Sequence, residues 1–181
     1  MAGKSHDERR PWRVLLLTLS DRAAAGERPD ASGPLLRERL SSLGFDVIGC
    51  EILPDGVEPL ATRLREACDG GVADLILTTG GSGLAPRDLS PEATRAVGER
   101  EIPGLMELVR ARCIQRTPFA ALGRGIAMSR GGTLIVNLPG NPRAAGETLD
   151  AMLDVLPHAL EQLCRPPEDC PRTGRGNGDS E

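Results

Sequence analysis

The sequence predicts an α/β fold, a three-layer α/β/α sandwich around a mostly parallel sheet. Two observations carry this. Apolar runs of strand length, such as V-L-L-L-T-L within residues 13–20, are continuous rather than alternating, as strands buried on both faces require. Between those runs stand segments of helical periodicity, set off by turns rich in Gly, Pro, Asp and Ser.

Residues 13–20 are the first strand. After a polar loop, Ser32-Gly33-Pro34 opens a helix with Ser32 as its N-cap, and Gly44 ends it. A second strand is expected over 45–53, then the turn Pro54-Asp55-Gly56 and a helix to about residue 69. A third strand, 73–79, runs into a glycine-rich loop. Ser90-Pro91-Glu92 combines an N-cap, a first-turn proline and an acid facing the helix dipole, so a helix starts there. Pro103-Gly104 interrupts, and a further helix covers about 105–115. T-L-I-V-N at 133–137 is a strand, Pro139-Gly140-Asn141-Pro142 a turn, and one long helix is expected from there to about residue 163. The folded domain is thus expected over 13–164, between a disordered leader, 1–12, and a disordered tail, 165–181, too rich in Pro, Gly and charge to build a core.

Composition removes several function classes. With 22 basic and 26 acidic residues the formal net charge is −4, which argues against a nucleic-acid protein. One Trp, two Phe and no Tyr leave little for base-stacking platforms. The five Cys are widely spaced with no C-x-x-C pair, so neither a disulfide framework nor a zinc site is expected; Cys50, Cys68 and Cys113 read as small hydrophobes. Only His6 and His158 are present, which leaves no His-based triad or multi-His metal site. The charged N-terminus lacks an apolar run and no stretch reaches membrane-spanning length, so a cytoplasmic protein is expected.

In a parallel α/β sheet, ligands sit at the carboxyl ends of the strands. Ser20-Asp21, Asp55, Gly80 to Asp88 and Pro139 to Pro142 all fall at such ends. Thr78 to Asp88 reads T-T-G-G-S-G-L-A-P-R-D, and Gly80-Gly81-Ser82-Gly83 can expose consecutive N–H groups as an anion-binding nest. Pro86 stands where a dinucleotide fingerprint needs glycine. No Gly-Lys-Ser/Thr follows, as a Walker A loop would need, and Leu84 replaces the last Gly of a hydrolase elbow. Arg87 offers bidentate donors to a phosphate, and Asp88 beside the cradle suits Mg²⁺. Asp55 on local chemistry is a turn-former, promoted only by its place at a strand end. The helix start at Ser32 and Gly33 is a second anion site. The turn at Pro139 to Pro142 is either a rigid connection or a presenter of backbone groups to a heterocycle.

These segments in this order, L-T-L-S-D-R, D-A-S-G-P, L-P-D, T-T-G-G-S-G-L-A-P-R-D-L-S-P-E-A-T, E-I-P-G and L-I-V-N-L-P-G-N-P, resemble the molybdopterin adenylyltransferase family, the Mog-type proteins and the G domain of gephyrin. The resemblance covers about residues 13–163. It implies a homotrimer that transfers AMP from Mg-ATP to the phosphate of molybdopterin, releasing pyrophosphate and passing the product to a molybdate-insertion enzyme. By position it implies catalytic, Mg²⁺-holding roles for Asp55 and Asp88. It implies substrate binding by Ser20, Asp21, Ser32, Gly33, Thr79, Gly80 to Gly83, Arg87 and Pro139, Gly140, Asn141 and Pro142. Ser82 stands where the family usually has Thr, and Gly123 where it commonly has the Ser of Leu-Ser-Arg. The same domain also serves a molybdate-insertion sister family and non-catalytic pterin-binding or scaffolding modules, so these readings stand beside the transferase.

Overall fold

A computed structural model describes residues 10–164. Strands β1 (Arg13–Leu19), β2 (Asp46–Leu53), β3 (Leu75–Thr79) and β6 (Thr133–Leu138) pair in parallel. Two further strands, β4 (Arg100–Glu101) and β5 (Ala127–Arg130), extend the sheet antiparallel, giving the order β2-β1-β3-β6-β5-β4. The helices are α1 (Asp21–Ala24), α2 (Ser32–Ser42), α3 (Val57–Asp69), α4 (Ser90–Val97), α5 (Pro103–Ile114), α6 (Pro142–Asp150) and α7 (Leu156–Cys164).

The continuous apolar runs are explained by the two cores. Val14 and Leu16 of β1, Leu75 and Leu77 of β3, and Leu134, Val136 and Leu138 of β6 face the core built with α2, α5, α6 and α7. Leu15, Leu17 and Leu19, Ile76 and Ile135 face the opposite way, into the core built with α3 and α4. Both faces of each central strand are buried, so no position calls for a polar residue to alternate. The expected three-layer sandwich is therefore the observed one.

Three local expectations are corrected. The long final helix is two, α6 and α7. Pro157 lacks an N–H and its ring would meet the carbonyl four residues back, so the helix stops and restarts with this proline in its first turn. The caps assigned to Ser32 and Ser90 are not side-chain caps: each serine is the first helical residue, and neither α2 nor α4 has a side-chain cap bond from its N-cap residue. For α2 the work falls to Asp30, whose carboxylate accepts from the N–H groups of Ser32 and Gly33. Cys50 is exposed rather than buried; Cys68 and Cys113 are buried, and burial pushes the Cys68 thiol up to about 11.

The fold begins before the expected boundary at residue 13. Arg10 pairs with Asp74, and Trp12 packs against the larger core. The rest of the expected leader and the whole expected tail lie outside the described residues. No helix among the described residues is long and apolar enough to cross a membrane.

Candidate functional site

The strand order sets the site. The chain leaves β1 for β2 on one side, then crosses β1 to place β3 on the other. The loops after β1 and β3 consequently diverge at their carboxyl ends, and a crevice opens there. A cavity of about 400 Å³ occupies it, lined by ten of the predicted residues: Ser20, Asp21, Ser32, Asp55, Thr79, Gly80, Gly81, Arg87, Asp88 and Gly140. A second cavity, of about 500 Å³, lies across the glycine loop and is walled largely by apolar side chains such as Met106, Val109 and Phe119. Ser82, Gly83, Pro139 and Gly140 line this one, so Gly140 borders both. Gly33, Asn141 and Pro142 line neither.

The glycine loop is braced from behind. Gly80 N–H and the Ser82 hydroxyl both donate to Leu138 O, at 3.3 and 3.1 Å, and the Thr79 hydroxyl donates to Pro139 O at 2.8 Å. Gly80 sits at φ +95°, and a Cβ there would collide with Leu19 O, so only glycine lets the loop press against β1. The N–H groups of Gly81, Ser82, Gly83 and Leu84 meet no acceptor among the described residues. A run of such open donors is what an anion nest requires.

The carboxylates are held by backbone amides. Asp55 N–H donates to Asp21 Oδ1 at 2.9 Å and Asp21 N–H to Asp55 Oδ2 at 3.3 Å, so the β1 and β2 loops clasp each other through their acids. Ala85 N–H donates to Asp88 Oδ2 at 2.8 Å, which folds the carboxylate back over its own loop towards Gly83. Each of these acids keeps an oxygen outside these bonds. Among the described residues no group of three or more His, Cys, Asp or Glu side chains is gathered for a metal.

Ser32 does not cap its helix; its hydroxyl donates to Gly140 O at 3.0 Å and ties α2 to the proline-rich turn. Gly33 is buried beside Asp30, where any side chain would strike the carboxylate. Asn141 caps α6 by accepting from Ala144 N–H at 3.1 Å, with Pro142 as the first helical residue. With the carbonyls of Leu138, Pro139 and Gly140 all engaged by protein donors, the turn braces the crevice. Gly123 is exposed at the rim of the second cavity, with only Ala120 O within reach of a Cβ, at 3.4 Å.

Sequence reasoning missed three residues. Arg28 lines the first cavity and, like Arg87, forms no ion pair among the described residues. Asp30 accepts from the Thr18 hydroxyl at 2.8 Å as well as from the start of α2; its place two residues before Ser32 is an Asx-turn signal that identifies it. Arg124 reaches back to the glycine loop and to Glu92, whose carboxyl it holds below the usual range through its hydrogen bonds, with partial burial opposing. Nothing local to Arg124 announces this.

Comparison with known proteins places these features in a family. Residues 15–158 match the family model described as "Probable molybdopterin binding domain". The Molybdopterin adenylyltransferase of Helicobacter pylori strain J99 is 37% identical over 150 residues, covering 82% of this chain and 85% of the relative. That of Escherichia coli K12 is 39% identical over 144 residues, covering 78% and 74%. The Drosophila melanogaster "Molybdenum cofactor synthesis protein cinnamon" is 41% identical over 150 residues, which is 82% of this chain but 25% of cinnamon. Among solved structures, the molybdopterin biosynthesis enzyme MoaB from Thermus thermophilus superposes with a TM-score of 0.80 at 50% identity, covering 84% of this chain and 96% of that one. The fold, the strand-end crevice and these matches agree, and the chain belongs to the molybdopterin adenylyltransferase family of molybdopterin-binding domains.

Proposed function

We propose that the chain is a molybdopterin adenylyltransferase, moving AMP from ATP to the terminal phosphate of molybdopterin in molybdenum cofactor synthesis. The observation that carries this is the glycine loop itself: four N–H groups without an acceptor among the described residues, between a cavity that holds acids with Arg28 and Arg87 and a cavity with apolar walls. Polyphosphate chemistry suits the first cavity, and a flat heterocycle suits the second. The loop between them meets the phosphate that joins the two substrates.

In the reaction a phosphate oxygen of molybdopterin attacks the α-phosphorus of ATP, and the bond to the β-phosphate oxygen breaks as pyrophosphate leaves. Such a transfer needs charge neutralisation and in-line alignment more than a protein nucleophile. Loop N–H groups and the guanidiniums of Arg28 and Arg87 neutralise the phosphates, and the braced loop fixes their position. Carboxylate oxygen is the right donor for Mg²⁺, which characteristically takes one or two carboxylates plus substrate phosphates. Asp55 and Asp88, one oxygen of each uncommitted, fit an ion that arrives with ATP, and Asp21 stands beside Asp55. Bound there, Mg²⁺ would offset the negative charge of the polyphosphate.

A homotrimer in the cytoplasm, handing its product to a molybdate-insertion enzyme, completes the proposal; sedimentation equilibrium tests the trimer. For the activity, purified protein with molybdopterin, ATP and Mg²⁺ is expected to yield adenylyl-molybdopterin and pyrophosphate. Tight molybdopterin binding without turnover would point instead to a non-catalytic binding module. Molybdate-dependent AMP release from the adenylylated pterin would point to the insertion reaction.

A further inference from the structure

We propose that Arg124 is a positioning residue that shapes the anion cradle, by pinning the carbonyls of the glycine loop behind it so that the amides present their hydrogens to a phosphate. Arg124 engages four groups at once. Its backbone N–H donates to Ser82 O at 3.1 Å and its Nε to Gly83 O at 2.7 Å. Nη2 donates to Asp88 O, and Nη1 to the Glu92 carboxylate on α4. One residue thereby grips both ends of the segment from Ser82 to Asp88 and the helix that follows.

The geometry of the peptide unit turns this grip into function. In a trans peptide the carbonyl and the next N–H point in opposite directions. With the Ser82 and Gly83 carbonyls drawn towards Arg124, the N–H groups of Gly83 and Leu84 must point away from it. These two amides have no acceptor among the described residues, and both residues line the second cavity. Arg124 does not line either cavity, so its charge acts through the loop rather than on the ligand. Glu92 in turn fixes the guanidinium plane, and the free rotation of glycine peptides makes such an anchor necessary. A lysine cannot replace it: an ammonium is a point donor on a flexible stem and cannot span Gly83 O, Asp88 O and Glu92 together.

The proposal takes from the transfer reading only the identity of the phosphate. Its test uses the full chain, as wild type, Arg124→Lys, Arg124→Ala and Glu92→Gln. The first readout is calorimetric affinity for inorganic pyrophosphate with Mg²⁺. The second is hydrogen exchange at the amides of Ala85, Asp88 and Ser90, which are bonded within the loop. Both arginine variants are expected to bind pyrophosphate about tenfold more weakly, with no rescue by lysine, as the loss of a charge-assisted fork implies. Exchange should quicken at those amides and stay unchanged in β1 and β3. Glu92→Gln should weaken binding less, in the same direction. If Arg124→Ala does not fold, the lysine and glutamine variants carry the test. Wild-type affinity in Arg124→Lys overturns the proposal, and so does weakened binding with unchanged exchange, which would make Arg124 a charge and not a positioner. Should the wild type itself bind no pyrophosphate, the transfer reading falls, and the exchange rates alone decide the role of Arg124.

Discussion

The two ends of the sheet are built from the same residue types and put them to opposite uses. At the amino ends of the strands, Asp74 is 4% exposed and saturated: Arg10 grips it with both Nη atoms, at 2.8 and 2.9 Å, and Arg13 donates from its backbone and its side chain. Arg130 likewise pairs with Asp69 and Val97 O. At the carboxyl ends, among the described residues, Arg28 and Arg87 form no ion pair, Asp55 and Asp88 are held by backbone amides, and the loop amides from Gly81 to Leu84 meet no acceptor. Charge spent on charge secures the fold, whereas charge secured by the backbone remains available to a ligand. Arg124 lies between these uses, spending its charge to shape a surface it does not itself present.

The largest expected effect breaks the carboxyl end alone. Asp88→Asn keeps an acceptor for Ala85 N–H but removes the charge, so AMP transfer should fall at least about 100-fold while the melting temperature stays within a few degrees. Steady-state kinetics beside thermal unfolding checks this, and a fully active variant would remove Asp88 from the mechanism.

The reverse experiment is Asp74→Ala. The orphaned guanidiniums remain partly hydrated, so the cost is about 2 kcal/mol rather than the full penalty of a broken buried pair, with turnover per folded molecule unchanged. This contribution also has a pH signature. Burial pushes the Asp74 carboxyl up, but hydrogen bonds from Arg10 and Arg13 outweigh it and hold the group well below the usual carboxylate range. Because the folded value is depressed, the stability is fully present above the ordinary carboxylate pKa of about 4 and is lost as pH falls below it. The gap between wild type and Asp74→Ala in urea unfolding should therefore narrow on acidification below pH ~4.

A smaller effect sharpens the comparison within the site. A Cβ on Gly140 would stand 3.1 Å from Gly80 Cα, forcing the turn and the glycine loop apart by a few tenths of an ångström. Gly140→Ala should raise the KM for both substrates about fivefold, since misplaced binding groups cost rate steeply. The smallest effect is at Gly123, where φ is −71° and a Cβ would meet only Ala120 O, at an ordinary contact distance of 3.4 Å. Gly123→Ser should leave stability within about 0.5 kcal/mol and lower the KM for molybdopterin a few-fold, the worth of one hydrogen bond.

Legibility in the sequence follows the range of the interaction. The central strands were legible because burial on both faces leaves a local trace, an unbroken apolar run. Strands β4 and β5 were not: A-M-S-R and R-E are short, and pairing alone makes them strands. The glycine loop and Asp88 could be named because their spacing is local; Asp55, locally a turn-former, was marked only by its place at a strand end and by the family resemblance. The strand order that joins them in one crevice, and the 36 residues separating Arg124 from Asp88, are decided by tertiary packing and leave no local pattern.

The central claim is that phosphate and metal meet at the carboxyl ends of β1, β2 and β3. The most direct measurement is a crystal structure with Mg²⁺ and a non-hydrolysable ATP analogue. The account predicts phosphate oxygens on the amides of Gly81 to Leu84 and the ion within reach of Asp55 and Asp88. An analogue bound with its phosphates away from this loop, or a metal held without either acid, would contradict it.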